Sequence, residues 1–443
     1  MNFRKYEATK DSGLAWLGKI PSHWEIMQSR RLFALRKERA MSDDRQMTAS
    51  QKHGIIYQDE YMALEGQKVV QVLTGADILK HVEPNDFVIS MRSFQGGIEW
   101  SDFRGCISSA YVMLIPAKSV NPRFFRYLFK CKPYIQALQS TSNLVRDGQA
   151  LRYENFTQVP IPVVPFSEQA AIARFLDQET VKIEALIAEQ ERLIKLLKEK
   201  RQAVISHAVT KGLDRNAPIK HSGVEWLSEV PLHWRICALK RAFKSSEYGI
   251  SDALEAAGDV AILRMSNISG GRVIMEDLKY VDDVDPHLLL NEGDLLYNRT
   301  NSLDLIGKVG RFLGFSVPVS FASYLVRLRT TSDCLATYFA YLLNTTGLLG
   351  EARANAIVAI GQCNLNPTRY GELTTAIPPL EEQKKIVGFL DSETLKLDEM
   401  NREAEKAVLL LRERRVVLIS AAVTGKIDVR GLVPYQPEME AVV

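Results

Sequence analysis

The sequence is poor in the residues that build staples and metal sites. Its 443 residues include five cysteines: Cys106, Cys131, Cys237, Cys334 and Cys363. They are odd in number, far apart and never in a C-x-x-C pair, which argues against a disulfide framework and against a zinc site. The seven histidines do not cluster with them. No run of about 18 apolar residues occurs, so no membrane span is expected. The opening stretch MNFRKYEATKDSG has no apolar segment of signal-peptide length. The expected location is the cytoplasm, with no membrane partner.

Signatures of chemistry are missing as well. There is no G-x-x-x-x-G-K-[ST] phosphate loop: Gly307-Lys308 is followed by Val309, and Gly425-Lys426 by Ile427. G-x-G-x-x-G, G-x-S-x-G and H-E-x-x-H do not occur. Nor do F-x-G-x-G or N-P-P-[FYW], expected of an amino-methyltransferase, or a Pro-Asp dipeptide, with which a common nuclease motif starts. The expectation is a chain that is not itself an enzyme and holds no metal or cofactor.

What is present is a repeat. WLGKIPSHW at 16–24 returns as WLSEVPLHW at 226–234, and these two stretches hold four of the five tryptophans. The likeness extends over 11–33 and 221–243, with 10 identities in 23 positions. A second pair, PFSEQAAIARFLDQET (165–180) and PLEEQKKIVGFLDSET (379–394), continues as KEKRQAVISHAVTKG (198–212) and RERRVVLISAAVTGK (412–426). The stretches between agree less. Both keep an acidic turn before a strand-like run (Asp86, Asp294), then an Arg and a Gly-containing loop, then an aromatic run (Phe124 to Leu128, Tyr338 to Leu342). A repeat of this length is read as architecture first: variable domain, fixed helix, variable domain, fixed helix.

The composition, 46% hydrophobic and 25% charged, suits a soluble protein of two to four domains. Residues 1–158 hold 22 Lys+Arg against 16 Asp+Glu, whereas 213–376 hold 16 against 18. The first domain can therefore carry a basic patch, while the second must gather its cations on one face to do so.

The fixed segments read as helices of roughly 40 residues, about 60 Å long. Pro165 and Pro379 stand at their starts with Glu168, Glu381 and Glu382 just after, as a helix dipole favours. Ile172, Leu176, Ile183, Leu186, Leu193, Leu197 and Val204 fall on a 4-3 stripe, and Ile386, Leu390, Leu397, Met400 and Leu411 on its counterpart. Leu186, Leu193, Leu197, Leu397 and Leu411 are expected in the seam. The two helices are expected to bury it by running antiparallel. His23 and His233 belong to no recognisable catalytic motif and are assigned packing roles.

These features resemble the specificity (S) subunit of type I restriction–modification systems. The carrying residues are G-x-x-W-L-x-x-[IV]-P-x-H-W at both domain starts, P-[FL]-x-E-Q-x-x-I-x-x-F-L-D at both helix starts and A-V-T ending at Thr210 and Thr424. The fold expected is α+β: two globular target-recognition domains separated by two long antiparallel coiled-coil helices, a tandem repeat with pseudo-two-fold symmetry. The segments are 1–163 and 213–377 for the recognition domains, 164–212 and 378–426 for the spacer helices, and 427–443 for a tail. The resemblance implies that each domain reads one half of a bipartite, asymmetric double-stranded DNA target. It also implies that the helices set the spacing and dock two methyltransferase (M) subunits. S-adenosylmethionine, ATP and Mg then belong to partner subunits, including restriction/translocase (R) subunits. The rival reading is a structural adaptor with two protein-binding domains on a coiled-coil spacer.

Within the first domain, Arg92, Ser93 and Gln95 in MRSFQGG are the expected DNA loop, since Arg and Gln make bidentate contacts to guanine and adenine. Asn298, Arg299 and Asn301 are the matching group in the second. Arg146, Arg152 and Tyr153, and Asn364, Asn366 and Arg369, are candidates for phosphate contacts late in each domain. Arg264 and Asn267 in LRMSNIS complete the set.

Overall fold

The computed structural model describes residues 3–69, 78–91, 93–142, 151–359 and 361–432. Two compact units result: residues 1–190 with 406–443, and residues 191–405. Each holds one sheet-bearing domain, the first half of the long helix that follows it and the last half of the other long helix.

The long helices are Phe166–Lys211 and Leu380–Val423. Each begins at its proline: the Pro165 carbonyl accepts from the amides of Glu168 and Gln169, and the Pro379 carbonyl from those of Glu382 and Gln383. Within the second unit Arg201 pairs with Asp398 (2.9 Å) and Lys198 with Glu405 (3.8 Å). Going forward on one strand of the pair means going back on the other, so the helices run antiparallel there. In the first unit Arg415 pairs with Glu184 across the same two helices.

The buried stripe differs by one residue from the expected seam. Leu197 and Leu397 are buried, and Leu411 is half-buried. Leu186 and Leu193, however, are 51% and 38% exposed; the stripe passes through Ile187 instead. The second helix shows the same step, burying Val408 while Met400 faces solvent. Where two adjacent residues are both apolar, a 3-4 and a 4-3 stripe fit the sequence equally, and packing decides.

In the first unit a four-stranded antiparallel sheet runs in the order Phe33–Leu35, Val112–Pro116, Phe87–Ile89, Glu99–Trp100. The second unit repeats that order with Phe243–Tyr248, Leu325–Thr330, Leu295–Asn298 and Val309–Arg311, then adds the hairpin Arg272–Val273 and Ile268–Ser269. The aromatic runs noted in the sequence become the helices Pro122–Leu128 and Ala336–Leu342, which bury Phe124, Phe125 and Leu128, and Tyr338, Phe339 and Leu342. Phe33, Phe87, Phe125, Phe129 and Phe156 pack edge to face or tilted around one another in the first core, with centroids 5.2–5.8 Å apart. Each domain is closed by pairing the strand just after the repeated frame with the strand just before its helix: Glu25–Gln28 with Pro160–Val163, and Arg235–Ala238 with Thr374–Ile377. Among the described residues no helix is long and apolar enough to cross a membrane.

Candidate nucleic-acid interface

The repeated nine-residue frame is a clamp. Trp24 is fully buried; its Nε1 donates to Glu168 Oε1 (3.1 Å), and His23 Nε2 lies 2.7 Å from Glu168 Oε2. Trp234 and His233 hold Glu382 with the same two distances. Both carboxylates sit in the first turn of a long helix, where the dipole favours them. The end of the other long helix closes the clamp. Lys426 Nζ donates to the carbonyls of Leu17 (2.9 Å) and Lys19 (2.6 Å), and Lys211 to those of Leu227 and Glu229. Gly425, at φ +70°, lies so close that a Cβ there would stand 2.4 Å from Pro21 Cδ. The histidines are thus paired with a carboxylate, which no local motif announced, and that carboxylate is tied to packing. Among the described residues no group of three or more His, Cys, Asp or Glu side chains could hold a metal ion.

The candidate contact residues divide by burial. In the second unit the strand Thr300–Asn301 pairs with Gln362–Asn364, so two groups more than 60 positions apart share a small three-stranded sheet. Thr300 faces Asn364, and Asn364 Nδ2 donates to Thr300 Oγ1 (3.3 Å). Arg299 is half-buried, donates to the Ser323 carbonyl (3.0 Å) and lies 4.9 Å over the Tyr248 ring. Tyr248 and Tyr324 are each nearly half exposed. Asn301 is half-buried and accepts from the Ser302 amide (2.8 Å). Arg369 is exposed, donates to the Asn355 carbonyl (3.2 Å), and stands at the start of a helix capped by Asn366, whose Oδ1 accepts from the Arg369 amide (2.9 Å). The surface therefore combines guanidinium, amide and aromatic groups, which suits contact with phosphates and base edges.

Other candidates are committed inside the protein. Asn298 is 1% exposed, and its Nδ2 donates to the Leu305 carbonyl (3.4 Å). Asn267 is 2% exposed; it donates to the carbonyls of Ile274 (3.0 Å) and Glu276 (2.7 Å) and accepts from the Arg264 amide (2.8 Å). Arg264 is half-buried and donates to the Asp277 carbonyl. Ser93, also buried, accepts from the Ser90 amide (2.9 Å). Short polar side chains after a strand serve turns as readily as ligands, and for Ser93, Asn267 and Asn298 the correction is that they brace turns. In the first unit Gln95 and Arg152 are exposed, and Tyr153 donates to the Phe33 carbonyl (3.2 Å). Arg92 and Arg146 lie outside the described residues.

Composition alone did not single out a cavity of about 350 Å³ in the second unit, lined by Arg201, Arg272, Lys308 and Arg311 among others. Its cations come from a long helix, two strands and, for Lys308, the Gly307 loop, which is the one sequence signal of the convergence. Tyr248 and Tyr324 were missed for the same reason: only the fold brings them beside Arg299.

Comparison with known proteins follows the repeat. The family model described as "Type I restriction modification DNA specificity domain" matches twice, at residues 21–195 and 237–409. The chain is 23% identical to the specificity subunit of the type I restriction enzyme EcoKI of Escherichia coli (strain K12), over 93% of this chain and 90% of that one. It is 21% identical to the MjaVIII specificity subunit of Methanocaldococcus jannaschii, over 98% and 99%. Among solved structures, a chain from work on complex assembly and conformational transition of the type I R-M system superposes with a TM-score of 0.66 at 15% identity, covering 92% of this chain and 99% of that one. The HsdS subunit from Thermoanaerobacter tengcongensis gives 0.57 at 13% identity, covering 92% and 98%.

Proposed function

The chain belongs to the type I restriction–modification DNA specificity family, and on that premise we propose that it is the subunit that tells such a complex where to bind. Each recognition domain, within 1–163 and 213–377, reads one half of a bipartite double-stranded DNA target. The helices, within 164–212 and 378–426, set the gap and dock two methyltransferase subunits. Catalysis, with its S-adenosylmethionine, ATP and Mg, belongs to the M and R partners, and the chain works where they do, in the cytoplasm.

The observation that carries this reading is the double family match laid over two domains with one scaffold and different walls. The shared four-strand order gives both domains the same frame. The added hairpin Ile268–Val273 and the sheet of Thr300–Asn301 with Gln362–Asn364 belong to the second. Two different walls read two different half-sites, so the target is asymmetric. In the second domain Arg299, Asn301, Asn364 and Arg369 supply contacts, with Tyr248 and Tyr324 beside them. In the first, Gln95 and Arg152 do so, with Arg92 and Arg146.

Methylome sequencing of cells carrying the complete system tests this. Two short motifs with a fixed gap are expected, and a swap of residues 221–376 should alter one motif and leave the other. A swap that alters both, or neither, overturns the assignment. Retention of fragments in gel shifts by the chain with its M partner must be salt-dependent, because phosphate contacts release counterions. No sequence-selective retention at any salt would favour the adaptor reading.

A further inference from the structure

The two long helices carry a phenylalanine at the same repeat position, Phe175 and Phe389. In the first unit Phe175 is 4% exposed because Phe3 covers it, ring on edge, with centroids 5.6 Å apart. The segment bearing Phe3 is held in turn by the last stretch of the chain: the Asp428 amide donates to the Arg4 carbonyl (2.7 Å), and Val429 is buried. Two segments, one before the clamp and one after the other helix, thus flank Phe175. In the second unit one segment, 213–218, does both jobs, leading from the end of the helix straight into the strand Ile219–His221. One layer is missing there. Phe389 is 41% exposed and Ile219 56%, in the lining of a groove of about 630 Å³.

The rim differs from the first unit as well as the depth. His207, Lys211 and Arg215 line the groove, as does Lys200 two turns earlier on the helix. The repeat counterparts, 214 positions on, are Arg414 for Lys200, Ala421 for His207 and Val429 for Arg215, while Lys426 holds the place of Lys211 at the first clamp. The aromatic floor is therefore common to both units, as are cations at the Lys200 and Lys211 places, while His207 and Arg215 are added in the second alone. Asp214 and Glu229 share the rim, so Lys200, Lys211 and Arg215, with His207, stand there against two carboxylates. Lys200, His207 and Arg215 are exposed and have no ion-pair partner among the described residues.

We infer that this groove receives an extended segment of a partner protein, bringing an aromatic side chain flanked by carboxylates. The aromatic ring takes the place that Phe3 fills in the first unit, and the carboxylates meet Lys200 and Arg215. An apolar floor does not suit a phosphate backbone, which favours a peptide over nucleic acid. Among the described residues the open copy belongs to the second unit, so one segment binds per chain. The inference stands on the repeat and its charges and does not depend on the DNA reading.

The test uses the full chain and a fluorescein-labelled hexapeptide, Glu-Asp-Phe-Asp-Glu-Gly, followed by anisotropy. Saturable binding of one peptide per chain is expected, with a Kd on the order of 0.1 mM because a short flexible segment must be ordered. Phe389→Ala should weaken it about tenfold, and so should the double reversal Lys200→Glu with Arg215→Glu. The reversed residues are exposed, so that variant tests the groove even if Phe389→Ala folds poorly. Replacing Phe by Ser in the peptide should abolish binding. Four results overturn the inference: no saturable binding, equal binding of the Ser peptide, displacement by a short DNA duplex of arbitrary sequence, or a chain dimer that the groove variants dissociate. The last two would identify the groove as a phosphate surface or as a contact between copies.

Discussion

Glu168 accepts from three donors, Trp24, His23 and the Tyr6 hydroxyl (2.6 Å), and its side chain is 5% exposed; Glu382 accepts from two and is 26% exposed. The clamp residues are identical, so the difference comes from the chain around them. Tyr6 lies in the segment that precedes the first clamp, and 210 positions later stands Asn216. Arg430 lies 5.0 Å over the Tyr6 ring and adds a second cover from the tail. A repeated motif therefore fixes the geometry of a contact, while flanking segments that are not repeated fix how far it is shut off from water. Burial strengthens a satisfied polar network and raises the cost of breaking it.

Removing either tryptophan should have the largest effect and the least contrast. Trp24→Ala and Trp234→Ala each empty a fully enclosed site and should cost about 3–5 kcal/mol in their own unit. Hydrogen exchange resolved by peptide would show which unit loosens. The carboxylates should separate the units. Glu168→Ala strands three donors and should cost about 2–4 kcal/mol, against about 1–2 kcal/mol for the more exposed Glu382→Ala. Equal losses in denaturant titrations would break the comparison. Tyr6→Phe should remove about 1 kcal/mol from the first unit alone. Burial also pushes the Tyr6 hydroxyl well above its ordinary pKa, as does its bond to Glu168, so it remains a donor at any working pH.

The smallest expected effect is one of pH, and it too belongs to the first unit. His81 is buried between Asp44 (2.7 Å) and Glu83 (2.7 Å), with Arg104 facing the same carboxylates. Burial alone lowers its pKa, but the bonds to Asp44 and Glu83 outweigh that and hold it above the ordinary 6.5. A raised cation stabilises the fold below its unfolded pKa, and that contribution is lost as pH rises through the folded value. The first unit should therefore lose stability between neutral and alkaline pH relative to His81→Gln. Thermal unfolding of the two proteins across that range checks it. Equal pH dependence would mean the imidazole is not charged in the fold.

Much of this was legible in the sequence because repeats and helices leave periodic marks. The tandem plan and both long helices followed from spacing and identity, and the repeated frame was legible as the mark of each domain's start, though not as a clamp on a helix carboxylate. The seam slipped by one residue because Leu186 and Ile187, and Leu193 and Ile194, are interchangeable to a pattern and distinct only to packing. The interface was harder, since it depends on which strands become neighbours. Nothing local reveals that Asn301 and Asn364 share a sheet, or that Asn298 and Asn267 turn inward. The support of the shared acidic turn was hidden for a similar reason. Asp86 is gripped by Arg36, just past the edge strand Phe33–Leu35, whereas Asp294 is gripped by Arg329 on the neighbouring strand Leu325–Thr330. The same carboxylate is kept and its partner moves, which is invisible to alignment and simple in space.

The backbone bond from Asp428 to Arg4 also sets a schedule. The second unit is one continuous stretch, whereas the first needs residues 406–432, made after that stretch, to cover Tyr6 and close the clamp on Leu17 and Lys19. During synthesis the first domain emerges first but waits for the rest of the chain, and the second can reach its final packing before it. The unit with the deeper clamp is thus the one completed last.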